Sequence, residues 1–376
     1  MVGATAPANR TGGIPMTVVD ATQETVKPPM TARKVARDQT GPIPGPPFDE
    51  VIACVDGSPL APAVVEWAAA IARAFNVPLS AVRVLESAPD DPVPQDPLSW
   101  EIRRSEAVGK LNELLQLAES GSGSKAEVMI GPVLDSLAAV LASRPGSLCV
   151  VGTTGEGRPS GAALGNNVRR IIEMAPCSVL VVPPDAGAAA RGRETEAKSG
   201  RGFVRRLMVP LDCSRRAETA IPPAFAIGEA FGSEIVLVHS VPEPVITAVG
   251  PLDEADIGLL GAIVERNEKT ASRYLSRVRA RLVFRGTQLR TLIVKGADAR
   301  HNLVRAAINE QADLIVLSAK GASGHPDQYL GAVADFLIRH IAGPVLIVKP
   351  SRDSGPFGPA ETARSTSRGS SGLKPA

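Results

Sequence analysis

The apolar positions of this chain switch between two periods. A short run of strand length, Glu50-Val-Ile-Ala-Cys-Val-Asp56, leads into a stretch where Val64, Val65, Ala68, Ala69, Ile71 and Ala72 fall on one broad helical face. Leu79-Ser-Ala-Val-Arg-Val84 predicts a second strand. After a proline-rich loop at 89–97, a helix carries Leu98, Ile102, Val108, Leu111, Leu114 and Leu115 at near-helical spacing. A strand over Ala126–Ile130, a helix over 134–143 and a strand over Ser147–Gly152 follow. A glycine-rich loop (153–164), a helix (165–174) and a strand (Ser178–Val182) complete the unit.

The plan then repeats. Arg206-Leu-Met-Val-Pro-Leu-Asp212 matches the first strand and its closing aspartate. A helix over 215–231, a strand over 234–240, a long helix over 253–282, a strand over 287–294 and a helix over 299–310 come next. Leu314–Leu317, a loop, a helix over 332–341 and Val345–Val348 close the copy. A repeat of this length means two homologous domains rather than a solenoid of short units.

Strands alternating with helices predict an α/β fold, a parallel sheet covered on both faces. We read two doubly wound domains, 48–184 and 203–350, each with five parallel strands in the order 3-2-1-4-5. The segments 1–47 and 351–376 are read as disordered tails and 185–202 as a linker, since Gly, Pro, Ser and charge replace periodicity there. The fifth strands of both domains fall at sheet edges in this order. Exposed apolar edges need a partner, so Ser178–Val182 and Val345–Val348 are expected to pair antiparallel within the chain. One chain would then be a pseudo-dimer, with further homodimerisation left open.

Composition narrows the function. With 41 Lys+Arg against 39 Asp+Glu and 3% aromatic residues, the chain lacks the basic excess and stacking platforms of a nucleic-acid binder. No apolar run approaches about 18 residues, so no membrane-spanning helix is expected, and Met1–Arg37 has no apolar core of a secretory signal. Cys54, Cys149, Cys177 and Cys213 are far apart and without C-x-x-C spacing, and Cys54 and Cys149 lie in apolar strand-like runs, which fits buried thiols in a reducing, cytoplasmic compartment. His239, His301, His325 and His340 show no paired spacing, so no metal site is expected.

In open α/β sheets ligands bind beyond the carboxyl ends of the strands, at the switch in strand order. That rule points to Asp56, Val84, the position after Ile130 (Gly131) and the loop after Val151. The loop reads Gly152-Thr-Thr-Gly155, nine residues, then Gly165-Asn166. Its glycines allow close backbone approach to an anion, and the helix opening at Gly165 offers unpaired N–H donors. This is a cradle for a di- or triphosphate. It is neither a Walker loop nor a Rossmann fingerprint, because the lysine and the position after strand one are missing. The second copy, Ser318-Ala-Lys-Gly321, nine residues, Gly331-Ala332, has lost the first glycine and the polar residue at the end. Asp56 has a second reading as a cap of the helix that follows.

The spacing G-x2-G-x9-G, the Val55-Asp-Gly-Ser strand end and the closing Ala175-Pro-Cys-Ser-Val-Leu-Val-Val182 resemble the universal stress protein family, here in tandem. In that family's ATP-binding branch the resemblance implies a nucleotide site at Cys54, Asp56, Val84, Gly152, Gly155, Gly165 and Asn166. The weaker second site would comprise Pro210, Asp212, Ser318, Gly321, Gly331 and Ala332. The resemblance implies an ATP-binding regulatory protein of the stress response, with Mg²⁺ carried on the phosphates and a protein partner left open. The alternatives are a slow ATPase at the same site or a ligand-free interaction module. No catalytic residue is evident.

Overall fold

The computed structural model describes residues 18–20, 46–86, 97–119, 123–155, 164–186, 202–244, 253–282, 287–321 and 330–349. The first domain contributes β2 (Glu50–Cys54), α1 (Ala61–Phe75), β3 (Leu79–Leu85), α2 (Pro97–Leu117), β4 (Lys125–Ile130), α3 (Val133–Ser143), β5 (Ser147–Gly152), α4 (Asn166–Met174) and β6 (Ser178–Val182). The second contributes β7 (Arg206–Pro210), α5 (Arg215–Glu218), α6 (Ile221–Phe231), β8 (Glu234–Pro242), α7 (Glu254–Arg281), β9 (Leu289–Gly296), α8 (Ala299–Asn309), β10 (Leu314–Ser318), α9 (Ala332–His340) and β11 (Val345–Val348). A short strand β1 (Val18–Asp20) precedes both.

Within each domain the strands are parallel, in the order β4-β3-β2-β5-β6 and β9-β8-β7-β10-β11. Both match 3-2-1-4-5. The fifth strands meet as expected: β6 runs antiparallel to β11, with Leu180 opposite Leu346. One sheet of 11 strands results. Two apolar layers cover its faces, and each draws on both domains. On one face Trp67 of α1 stacks edge-on against Phe203 with ring centroids 4.7 Å apart. Phe203 in turn meets Phe231 of α6 at 5.8 Å. This junction buries α1 almost all round, from Val64 to Ala72, rather than along one stripe.

Three expectations need correction. Residues 18–20, assigned to a disordered tail, form β1 and pair antiparallel with β9, covering the outer edge of the second domain. The helix expected over 215–231 breaks into α5 and α6. Pro222 and Pro223 lack the N–H groups a continuous ladder needs, and Thr219 and Ala220 make short bonds back to Arg216 and Ala217 instead. Leu98 and Ile102, placed on the apolar face of α2, are 68% and 51% exposed. The 21-residue helix is about 32 Å long, against about 23 Å for the seven residues of β3. Its buried stripe therefore begins only at Ala107 and continues through Leu111 and Leu115. Residues 187–201 of the linker and the tail from 351 lie outside the described residues.

Candidate functional site

The site of the first domain lies beyond the carboxyl ends of β2, β3 and β5. Val55 is held by its N–H bond to Val82 O, which carries β2 to its end and sets Asp56 at the rim. Asp56 Oδ1 accepts the Ser58 N–H at 2.9 Å. The capping reading of Asp56 fails: the N-cap of α1 is Leu60, and no side chain caps that helix. The carboxylate belongs to the turn after β2.

The glycine loop begins where β5 ends. Thr153 donates its N–H to Val182 O, and Gly165 returns its own N–H to Thr153 O at 2.9 Å. These two bonds clamp the start of α4 against the strand. The first intrahelical bond runs from Arg169 N to Gly165 O, so the N–H groups of residues 166–168 are the orphan donors of a helix N-terminus. Two glycines lie close against side-chain tips. A Cβ on Gly155 would sit 2.9 Å from Asp56 Oδ2, and one on Gly152 would sit 3.2 Å from Leu60 Cδ1.

A cavity of about 290 Å³ joins these parts. Seven of the eight expected residues line it: Cys54, Asp56, Val84, Gly152, Gly155, Gly165 and Asn166. Gly131 does not. It adopts a φ of 143° at the turn into α3, donates its N–H to Leu85 O, and stands outside the lining. The sequence reading missed Ser58, Leu60 and Asn167, which also face the cavity. Asn167 follows Asn166 at the helix start and was legible in principle; Leu60 was not, because only the α1 turn brings it under Gly152. Asp56 is the one ionisable carboxylate in the lining, which among its described residues contains no Lys, Arg or His.

Cys54 Sγ lies 3.7 Å from Cys149 Sγ at the cavity floor. The neighbouring Cys54 thiol and complete burial push the Cys149 thiol well above the usual range, so Cys149 is an inert core thiol. Cys177 is also buried and Cys213 is exposed, while Cys54, expected to be a buried thiol, is half-buried.

The second domain repeats the cavity at about 280 Å³, and all six expected residues, Pro210, Asp212, Ser318, Gly321, Gly331 and Ala332, line it. Asp212 Oδ1 accepts the Ser214 N–H at 3.0 Å, as Asp56 does with Ser58. Gly331 donates to Ala319 O at 2.8 Å, copying the clamp of Gly165. The loop differs at Ser318, whose hydroxyl donates to Lys320 O at 2.7 Å. His239 also lines this cavity, a residue whose lack of paired spacing gave it no role in the sequence reading. Its Nδ1 lies 2.7 Å from Leu211 O. Burial holds the imidazole below the usual histidine range, against the Leu211 carbonyl and the Asp212 carboxylate, which pull the other way. No sequence signal marked it, because the strand end that aims it at the cavity is a feature of register.

The two domains also touch through equivalent positions. Arg169 of α4 and Asp335 of α9, each three residues past the first helical residue, pair at 3.1 Å across the junction. Lys349 of the second domain reaches the C-terminal end of α4, donating from Nζ to the carbonyls of Glu173 and Ala175. A cation there complements the helix dipole. Among the described residues no group of three or more potential metal ligands occurs. None of their helices is long and apolar enough to cross a membrane.

This doubly wound fold recurs in known proteins. The pattern of the universal stress protein family matches residues 47–183 and again 204–349. The chain belongs to that family, as a tandem of two of its domains. It is 25% identical over 331 residues to the universal stress protein Rv1996 of Mycobacterium tuberculosis, covering 81% of this chain and 96% of that one. It is 22% identical over 311 residues to the universal stress protein Rv2623 of the same organism, covering 80% and 96%. Among solved structures, a universal stress protein of Archaeoglobus fulgidus aligns with a TM-score of 0.51 at 16% identity, over 81% of this chain and 97% of that one. That likeness concerns the fold.

Proposed function

We propose that the first domain binds ATP, with Mg²⁺ carried on the phosphates, and that the protein is a nucleotide-responsive regulator of the stress response its family is named for. The observation that carries this reading is one cavity lined both by Asp56 and by the N-terminus of α4. A carboxylate accepts hydrogen bonds from ribose hydroxyls. Orphan helix N–H groups and the Asn166 and Asn167 amides suit the phosphates. Gly155, with no room for a Cβ beside Asp56, allows backbone and nucleotide to approach closely. Occupancy would then change the surface offered to a protein partner around the N-terminus of α4. Calorimetric titration of the full chain with Mg·ATP tests the reading. Saturable binding that Asp56→Ala weakens supports it; an unchanged heat signature in Asp56→Ala and Gly155→Ala overturns it.

A further inference from the structure

The two cavities are close in volume and equivalent in position, but their linings diverge in a consistent direction. What the second keeps is the half that we read as holding the sugar: Asp212 with its Ser214 N–H, and Gly321 packed against that carboxylate without room for a Cβ. What it loses is the half that we read as holding phosphates. Ala332 and Val333 stand where Asn166 and Asn167 offer amides. Ser318 stands where Gly152 leaves the loop open, and its hydroxyl is tied to Lys320 O. The first turn of α9 carries the carboxylate of Asp335, whereas that of α4 carries none and has Arg169 at the same place. A carboxylate there already complements the helix dipole that a phosphate would use. Lys320 lies outside the described lining.

The polar groups gained lie at the other end. Cys54 pairs with Val82 and Pro210 with Val238 in the two halves of the sheet, so Ser240 is the counterpart of Val84. Ser240 Oγ accepts from Asn302 Nδ2 at 3.1 Å, which leaves its own proton to donate. His239 stands beside it, with Nδ1 engaged by Leu211 O and Nε2 left as an acceptor in the neutral ring. One uncharged donor and one uncharged acceptor thus join Asp212 in a cavity whose remaining wall, Leu303, Leu317 and Val333, is apolar.

We propose that the second domain's cavity binds a phosphate-free purine nucleoside, so that one chain holds two ligands sharing a nucleoside and differing in charge. This rests on reading the first cavity as an ATP site. Ser240 and His239 would meet the base edge, and Asp212 the ribose hydroxyls. A triphosphate would meet Ser318, Ala332 and the Asp335 end of α9 where the first domain offers Gly152, Asn166 and Asn167.

The test is calorimetry on the full chain with adenosine and Mg·ATP as separate probes, using wild type, Asp56→Ala, Asp212→Ala and Ser240→Val. Adenosine binding is expected to survive Asp56→Ala. It should weaken about tenfold in Asp212→Ala and severalfold in Ser240→Val, the scale of one lost buried hydrogen bond. ATP should titrate one site, unaffected by Ser240→Val. A triple exchange of Ser318→Gly, Ala332→Asn and Val333→Asn should raise the ATP stoichiometry to two. Two ATP sites of similar affinity in the wild type overturn the proposal. So does adenosine binding that is absent from every variant or indifferent to Asp212→Ala. Failure of the first-domain reading looks different: ATP binds nowhere, while the adenosine arm remains readable in Asp212→Ala and Ser240→Val.

Discussion

Gly155 presses so closely on Asp56 that a Cβ at the glycine would stand 2.9 Å from the carboxylate Oδ2. The contact joins the turn after β2 to the loop after β5, both of which line the candidate site. Gly155→Ala therefore acts through Asp56: the carboxylate must turn away or the loop must retreat. Gly155 is not in the left-handed region, so the substitution carries no backbone strain of its own. We expect ATP affinity to fall about tenfold or more, equivalent to about 1.4 kcal/mol, with a melting temperature within a few degrees of wild type. Calorimetry paired with thermal unfolding separates the two effects.

Leu180 and Leu346 face each other at the junction of β6 and β11, both fully buried. Leu346→Asp would strand a carboxylate in that apolar layer, at a cost on the order of 3 kcal/mol or more. The Arg169–Asp335 pair crosses the same junction, but Arg169 is half exposed, so Arg169→Ala should cost under about 1 kcal/mol. Denaturant titration of both variants checks the order. Equal effects would mean that the junction is held by its ion pair rather than its strands.

Hydrolysis is expected to be slow. In the first cavity Asp56 is the only carboxylate among the described lining residues, and the Ser58 N–H already occupies its Oδ1. No cationic side chain among those residues faces the phosphate end, whereas phosphoryl transfer depends on such groups to stabilise its transition state. Turnover of Mg·ATP should fall far below the ~10 s⁻¹ typical of enzymes. Phosphate release near that rate, abolished by Gly155→Ala, would contradict this.

Acid should unfold the second domain partly through Glu234. Burial alone would raise its pKa, but the guanidiniums of Arg206, at 2.7 Å, and Arg290, at 3.1 Å, outweigh it and hold the carboxyl below the usual range. A carboxyl with a lowered folded-state value contributes stability above its ordinary value, about pH 4.3. That stability drains away as pH falls through the lower folded value. Glu234→Gln should cost about 1–2 kcal/mol at neutral pH, the scale of hydrogen bonds to a charged group. The gap from wild type should narrow below about pH 4. Urea titrations across pH 3–7 measure this gap, and one independent of pH would remove Glu234 from the acid response.

The sequence by itself determined the repeat, the alternation of strand and helix, the strand order and the strand ends at which the two cavities open. These follow from local periodicity and from the rule that parallel sheets bind ligands at their carboxyl ends. The pairing of β6 with β11 was legible because two apolar edges in one chain satisfy each other. Asp56 and Gly155 were legible because their chemistry sits in motifs a few residues long. Tertiary structure alone decided the rest. Strand register aimed His239 into the second cavity, and the α1 turn brought Leu60 beneath Gly152. The relative lengths of α2 and β3 left Leu98 and Ile102 outside the core that their spacing implied. Arg169 met Asp335 only because equivalent helices converge at the junction. Periodicity records which face of an element is apolar. Which neighbour covers that face, and which side chain reaches across a gap, depends on distances between segments far apart in the chain, and these exist only once the sheet has closed.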